Sequence, residues 1–415
     1  MLKLKEIIRS LDFQPVKITS PCPHYPLCGG CQLIDVAYPQ QLELKEQIIK
    51  KAKAQICPQL PVTLQPVIPA LDTTYYRNKM EFSFGCKDDD IYLGLKKRAD
   101  FACVIKTDHC LLQSQIANQI LQWASKYFTA SFQDSTSPLY PYQDQPVWDH
   151  LKHKGLLRYL GVRHSKTHDQ FLINLVISKD ERPLFQDFIT KLTAQFSQIV
   201  SVYITVQDTI SDTAFSENIE HVFGTKTISE DLNGYQFEIS PLSFFQTNTT
   251  QAKVLYQKIL ELADIQPQDL VMDLYCGTGT IGIYVAAKAR QVIGIEEVEQ
   301  AVTNARLNAQ HNQVTNIEFY LGRVKNILKF NKFEPNVVIV DPPRSGLVPK
   351  ALQRTLSLQA RKLVYVSCNP VTLFHDLQII CKSGYQIKHF QPVDMFPNTY
   401  HLESIVVLEK GLETN

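Results

Sequence analysis

The sequence has no apolar run near the ~20 residues that a membrane-spanning helix requires. Its first residues, "MLKLKEIIRSLDFQPVK", contain no apolar stretch of signal-peptide length. A cytoplasmic location and no membrane partner are therefore expected. Net charge is also missing: 42 Lys and Arg stand against 41 Asp and Glu, a formal +1. Any nucleic-acid-binding surface must then be local rather than a property of the whole chain. Neither an internal repeat nor a low-complexity tract is found, which excludes solenoids and long compositional linkers.

What is present is a globular composition over 415 residues, 44% hydrophobic and 20% charged. That length supports two or three domains with cores of their own. In a reducing compartment, the ten cysteines point to metal binding or catalysis rather than to disulfides.

Three segments differ in pattern. Residues 1–70 are rich in Pro and Cys around one helical stretch, "PQQLELKEQIIKKAKAQI". Residues 71–240 mix short strands such as "MEFSFGC", "FLINLVIS" and "IVSVYITVQ" with a few helices. Over 241–415 strands and helices alternate regularly: "DLVMDLYC", "RQVIGIEE", "NIEFYLG", "NVVIVDPP" and "KLVYVSC", then "IKHFQPVDMF" and "HLESIVVLEK". The pattern predicts an α/β fold, a mostly parallel sheet covered on both faces. Ligands bind beyond the carboxyl ends of such strands. Tyr275–Thr280, Glu296, Gly322–Arg323, Asp341 and Cys368 all fall there.

"MDLYCGTGTIGI" reads as strand, glycine turn and helix. Gly277 and Gly279 would let the backbone approach a ligand at a helix N-terminus. With Gly282 the spelling fits G-x-G-x-x-G, so a nicotinamide is a rival occupant. Glu296, ending the next strand, could bind a ribose diol in either case.

Cys368 ends a strand in "YVSCNPVTL", with Pro370 forcing the chain to turn. One explanation is a buried structural thiol. Its neighbours point instead to chemistry. "DPPRSGL" (341–347) brings Asp341 and Arg344 to the same sheet edge, and Glu403 opens the otherwise apolar last strand, where a carboxylate is costly without a role or a partner. A nucleophile, an acid/base and a cofactor loop together describe a reaction centre.

"SPLSFFQTN" (240–248), "DLYCGTGT" (273–280), "DPPRSGL", "SCNP" (367–370) and "HLES" (401–404) together resemble the RNA uracil-5-methyltransferases that use S-adenosylmethionine. The resemblance implies a Rossmann-like catalytic domain, with Cys368 as nucleophile and Glu403 as general base. Gln246, Tyr275, Glu296 and Asp341 would hold the cofactor, Thr280 being a weaker candidate. Methyltransferases acting on cytosine carry a second cysteine after the Asp-Pro-Pro strand, and amino-group methyltransferases an aromatic residue. Arg344 stands there instead, which favours uracil carbon 5. Arg323 departs from the family pattern near the adenine, and that contact is left unassigned.

"PCPHYPLCGGCQL" places Cys22, Cys28 and Cys31 at C-x5-C-x2-C spacing, with Cys110 downstream. Four thiolates suit a [4Fe–4S] cluster or a tetrahedral zinc equally, and Cys86 and Cys103 compete for the fourth place. The resemblance favours the cluster and Cys110. It also implies an α+β RNA-binding region before residue 240, without the small N-terminal barrel of many relatives. The implied substrate is 23S ribosomal RNA, with transfer RNA as the alternative, and a monomeric enzyme is expected. For phosphate contacts the first candidate is the basic stretch 150–168, with Lys152, Lys154, Arg158, Arg163 and Lys166. Arg77, Lys79 and residues 96–98 come second. Two rivals belong to other classes: a nicotinamide oxidoreductase with an iron–sulfur relay, and a non-catalytic RNA-binding factor.

Overall fold

The computed structural model describes residues 3–411. Helices α1 (Leu4–Arg9) and α2 (Tyr38–Ile56) come first. Strands β1 (Lys79–Lys87), β2 (Asp90–Lys97) and β3 (Asp100–Lys106) follow, then helix α3 (Gln115–Gln133). Strands β4 (Leu157–Ser165) and β5 (Gln170–Ile177), helix α4 (Gln186–Gln195), and strands β6 (Ile199–Val206) and β7 (Ile219–Gly224) complete a seven-stranded sheet of order β3-β2-β1-β4-β5-β6-β7. A hairpin of β8 (Ile228–Leu232) and β9 (Tyr235–Ile239) leads into α5 (Thr249–Ala263).

The second half runs β10 (Leu270–Leu274), α6 (Thr280–Ala286), β11 (Gln291–Glu296), α7 (Glu299–His311), β12 (Ile317–Leu321), α8 (Val324–Phe330) and β13 (Val337–Val340). It continues through α9 (Pro349–Ser357), β14 (Lys362–Ser367), α10 (Pro370–Lys382), β15 (Tyr385–Val393) and β16 (Glu403–Lys410). These strands make a seven-stranded sheet of order β12-β11-β10-β13-β14-β16-β15, in which β16 alone runs antiparallel to the others.

Strand periodicity builds two cores. Val271, Val337, Ile339, Val364 and Val366 face one way, with α5, α6 and α7. Met272, Leu274, Val338, Val340 and Tyr365 face the other, with α9, α10 and the buried face of α2. Both faces are thus covered, as continuous apolar strands require. The chain crosses over at β10, which has β11 on one side and β13 on the other. That crossover opens the crevice in which such sheets bind ligands.

The N-terminal segment is fastened to the C-terminal half by buried polar groups. Lys45 of α2 and Asp394 pair with both side chains fully buried. Lys45 also donates to the Phe396 carbonyl at 3.1 Å, and the Tyr38 hydroxyl donates to Asp394 at 2.9 Å. Removing one member leaves the other charge buried and alone. Lys45→Ala should cost about 3–5 kcal/mol, measured by chemical denaturation. A loss within experimental error would mean that water reaches Asp394. No helix among the described residues is long and apolar enough to cross a membrane.

Candidate active site

Cys368 is presented by the end of β14. Asn369 caps α10 by accepting from the Val371 amide at 3.1 Å, and Pro370 occupies the first helical turn, where a missing N–H costs nothing. The strand therefore converts to a helix immediately after the thiol. Glu403 arrives from the neighbouring strand. β14 and β16 pair antiparallel, ending at Ser367 opposite Ser404. One step further along that register sets Cys368 opposite Glu403, and residues so opposed share a face of the sheet. The "DPPRSGL" loop is tied to the same corner: Asn369 Nδ2 donates to the Arg344 carbonyl at 3.0 Å. Gly346 and Leu347 pack at Asp376, whose carboxylate accepts from the Leu347 amide and the Tyr365 hydroxyl.

The electrostatics are those of a strained acidic site. Burial, then Glu403 and Asp341, raise the Cys368 thiol to about 12, while Arg344 opposes. Glu403, 5% exposed, is pushed well above the ordinary carboxylate range by burial and then by Asp341, again against Arg344. Burial raises Asp341 to about 7. Arg344 is positioned by His401, donating to its Nδ1 at 3.0 Å. Burial, then Arg344, lowers His401 to about 4, so its ring stays neutral and free to accept. Sequence reasoning did not single out His401; its place two residues before Glu403 was the available signal.

The cofactor crevice lies alongside. Tyr275 and Gly277 hold φ of 66° and 54°, and Gly279 of 80°. A Cβ on Gly279 would lie 2.9 Å from the Phe319 ring, whereas one on Gly277 would meet nothing within 4 Å. One glycine is thus required by packing, while the other keeps an open surface. Glu296 braces the loop: its Oε2 accepts from the Gly277 amide at 3.1 Å, and its Oε1 from Glu297 and Val298. Asp273 holds the Gly282 amide at 2.8 Å and is raised to about 7, by burial first and then by Asp341. Gln246 is buried in the loop before α5, where its carbonyl accepts from Asn78. Two residues earlier, the Phe244 carbonyl lies 3.5 Å from the Thr278 hydroxyl. Thr280 turns toward α5, with its hydroxyl 3.3 Å from that of Tyr256. Arg323 pairs at the surface with Glu297 at 3.0 Å.

Cys22, Cys28, Cys31 and Cys110 line one cavity, together with His24 and Thr107. Cys86 and Cys103 do not line it. Burial raises Cys31 to about 12, and the other three thiols add to the shift. No three His, Cys, Asp or Glu side chains among the described residues converge as ligands of a single metal ion.

The basic stretch 150–168 requires a correction. Arg158 and Arg163 are 1% and 4% exposed and lie on β4, inside the first sheet. Arg158 donates to the carbonyls of Gln207, Thr209 and Ser211 and lies over the Trp148 ring at 4.3 Å. Arg163 donates to the carbonyl of Ser243. Lys166 donates to the Tyr75 carbonyl at 2.7 Å. Arg158 and Arg163 are thus committed to backbone acceptors within the fold and closed to phosphates, and Lys166 is half-buried. Lys152 and Lys154 alone stay exposed.

The sequence profile of the tRNA (uracil-5-)-methyltransferase family matches residues 150–322 and 320–411. An uncharacterized RNA methyltransferase of Caldanaerobacter subterraneus subsp. tengcongensis is 36% identical over 413 residues, spanning 98% of this chain and 88% of that protein. Another, of Clostridium tetani, is 36% identical over 413 residues, spanning 98% and 87%. The solved Pyrococcus abyssi tRNA (uracil-54, C5)-methyltransferase, in complex with S-adenosyl-L-homocysteine, superposes with a TM-score of 0.72 at 29% identity, covering 92% of this chain and 86% of that one.

Proposed function

The chain belongs to the tRNA (uracil-5-)-methyltransferase family, and from that premise we propose that it methylates carbon 5 of a uridine in RNA, with Cys368 as nucleophile and Glu403 as base. The observation that carries the reading is the β14–β16 register, which sets a thiol against a buried carboxylate beside the glycine-loop crevice. The crevice suits S-adenosylmethionine: raised carboxylates await a cation, and Gly277 leaves the loop open. Gln246, Tyr275, Glu296 and Asp341 would hold the cofactor, which supplies an electrophilic methyl group when bound.

Carbon 5 of uracil is a weak nucleophile. Addition of the Cys368 thiolate to carbon 6 would push the ring electrons toward O4, and the enolate carbon 5 would take the methyl as its bond to the sulfonium sulfur breaks, leaving S-adenosylhomocysteine. Arg344 would steady the enolate oxygen with its positive charge. Glu403 then takes the carbon-5 proton, the carbon 6–sulfur bond breaks, and the thiolate leaves. The uridine must first leave its stack to reach the thiol. The nicotinamide alternative for "GTGTIG" would leave Cys368 and Glu403 without work.

We assign 23S ribosomal RNA as the first substrate, because the cysteine spacing resembles the large-subunit enzymes. Transfer RNA is the second reading, favoured by the named activity of the Pyrococcus abyssi neighbour. Labelled S-adenosylmethionine given to the enzyme with unmodified 23S rRNA and, separately, unmodified tRNA decides between them. 5-Methyluridine should form in one; label in neither would remove the proposal. Cys22, Cys28, Cys31 and Cys110 would hold a [4Fe–4S] cluster, with zinc as the alternative. A preparation made without air should be brown and contain iron and sulfide; a colourless, zinc-loaded protein would decide for zinc.

Cofactor binding should depend on pH in a definite direction. Asp341 titrates at about 7 in the free protein, so it is largely protonated in mild acid. A bound sulfonium cation favours the ionised carboxylate. Affinity for S-adenosylmethionine should therefore strengthen as pH rises through 7, with proton release on binding at the acid end. The sign for the free protein is opposite. A carboxyl whose folded pKa lies above its unfolded value contributes stability that is lost as pH rises through the folded pKa. Calorimetry in buffers of different ionisation enthalpy tests the first trend; affinity that weakened with rising pH would remove Asp341 from the cation site.

A further inference from the structure

Beside the cysteine cavity, sharing Gly30, Leu95 and Leu112 with it, lies an open groove of about 580 Å³, whose walls carry Arg77, Lys79, Lys96, Lys97 and Arg98. We propose that this groove seats the phosphodiester backbone of the RNA strand that flanks the methylated uridine. The inference rests on the methyltransferase reading and deepens it by naming where the substrate strand lies.

Charge is the first argument. The chain is nearly neutral overall, yet five cations meet here against one acid, Glu81, which pairs with Lys79 at 2.8 Å. Lys96 is shared with Asp212 at 3.6 Å. Arg77, Lys97 and Arg98 meet no carboxylate at ion-pair distance among the described residues, and the buried Nε of Arg77 has no hydrogen-bond partner. Unpaired cations converging on one concave surface have the form of a phosphate track.

Placement is the second. The Arg77 guanidinium lies 5.9 Å from the Phe396 ring, Phe396 meets His401 edge-on at 6.4 Å, and His401 holds Arg344. These contacts link the Arg77 wall of the groove, through two intervening side chains, to the Arg344 loop. Apolar Met80, Leu95 and Leu112 line it between the cations, giving sugars and bases a surface to rest on.

Rigidity is the third. The cysteine segment crosses the β2–β3 turn and fixes its basic residues. Cys28 bridges Lys97, the Gly29 amide donates to the Lys96 carbonyl at 3.0 Å, and the Arg98 amide donates to the Leu27 carbonyl at 2.8 Å. The Arg98 guanidinium donates to the Cys31 carbonyl at 2.6 Å and lies over Tyr25 at 5.3 Å. These contacts hold the backbone of the turn and the Arg98 guanidinium in place before RNA arrives, which lowers the ordering cost of binding.

The test is equilibrium binding of a labelled oligouridylate across a salt series, with methyl transfer to rRNA and tRNA assayed on the same wild-type preparation. Lys97→Gln/Arg98→Gln should bind roughly tenfold more weakly near physiological salt, with a log–log salt slope shallower by about 1.4, two contacts at ~0.7 each. Retained S-adenosylmethionine binding would show that the variant is folded. Lys97→Glu, which breaks no hydrogen bond seen here, should weaken binding too. If both variants match the wild type in affinity and slope while the wild type methylates RNA, the groove assignment falls and the methyltransferase reading stands. Variants that lose binding while the wild type methylates neither RNA would support the groove and overturn the reaction. A wild type that does neither overturns both.

Discussion

Glu403→Gln should leave the enzyme joined to its RNA. With S-adenosylmethionine and substrate present, a covalent protein–RNA complex should survive denaturing electrophoresis, and turnover should fall by roughly 10²–10⁴-fold, the usual contribution of a general base. Glutamine keeps the shape that β16 needs at its first position, so Cys368 can still add to carbon 6 and the methyl can still reach carbon 5. An amide cannot take the carbon-5 proton, and without that loss the carbon–sulfur bond has no route to break. The site also predicts a gain. Glu403 is buried against Asp341 and held well above its ordinary range, so at a pH high enough to ionise both, the pair destabilises the fold. The neutral variant should melt at a higher temperature than the wild type in mild alkali and lose that advantage in acid. A variant with wild-type turnover would remove Glu403 from the mechanism. One that neither turned over nor formed an adduct would place Glu403 before the addition step, as the group that deprotonates Cys368.

The catalytic half was largely legible in the sequence because its signals are local. Runs such as "NVVIVDPP" and "KLVYVSC" are apolar throughout and end at turn residues, and their observed ends, Val340 and Ser367, set Asp341 and Cys368 just past the carboxyl ends of their strands. Pairing was not local. Nothing in "HLESIVVLEK" says that β16 inserts between β14 and β15, yet that insertion is what carries Glu403 to Cys368 across 35 residues of chain. The basic stretch misled for a related reason. Charge in "LLRYLGVRH" reads as a solvated face, but β4 is an interior strand, and three carbonyls from a distant loop compensate the burial of Arg158. Helix α8 carries a weak sequence signal, because it is seven residues long and its N-cap, Arg323, makes no side-chain capping bond. The pairing of Lys45 with Asp394, 349 residues apart, has no sequence signal at all.

Cys368→Ala should abolish methyl transfer and adduct formation together. Turnover is expected to fall by roughly 10⁴-fold or more, the scale seen when a nucleophile is deleted from a catalytic unit, while S-adenosylmethionine still binds, since Cys368 follows β14 and the glycine loop follows β10. Cys368→Ser should be as inactive, because an alkoxide is far less accessible than a thiolate. The thiol itself begins poorly ionised: burial and the two neighbouring carboxylates raise it to about 12. Three features pull the other way. Arg344 is the cation already present, the N-terminus of α10 begins two residues on, and a bound sulfonium would offset Asp341 and Glu403. In the free enzyme, alkylation of Cys368 should therefore be slow at neutral pH and accelerate steadily as pH rises past 9. Rapid alkylation of the free enzyme at neutral pH would mean that the protein alone activates the thiol. Methylation surviving in Cys368→Ala would mean that carbon 5 reacts without addition at carbon 6, and the roles given to Glu403 and Arg344 would fall with it.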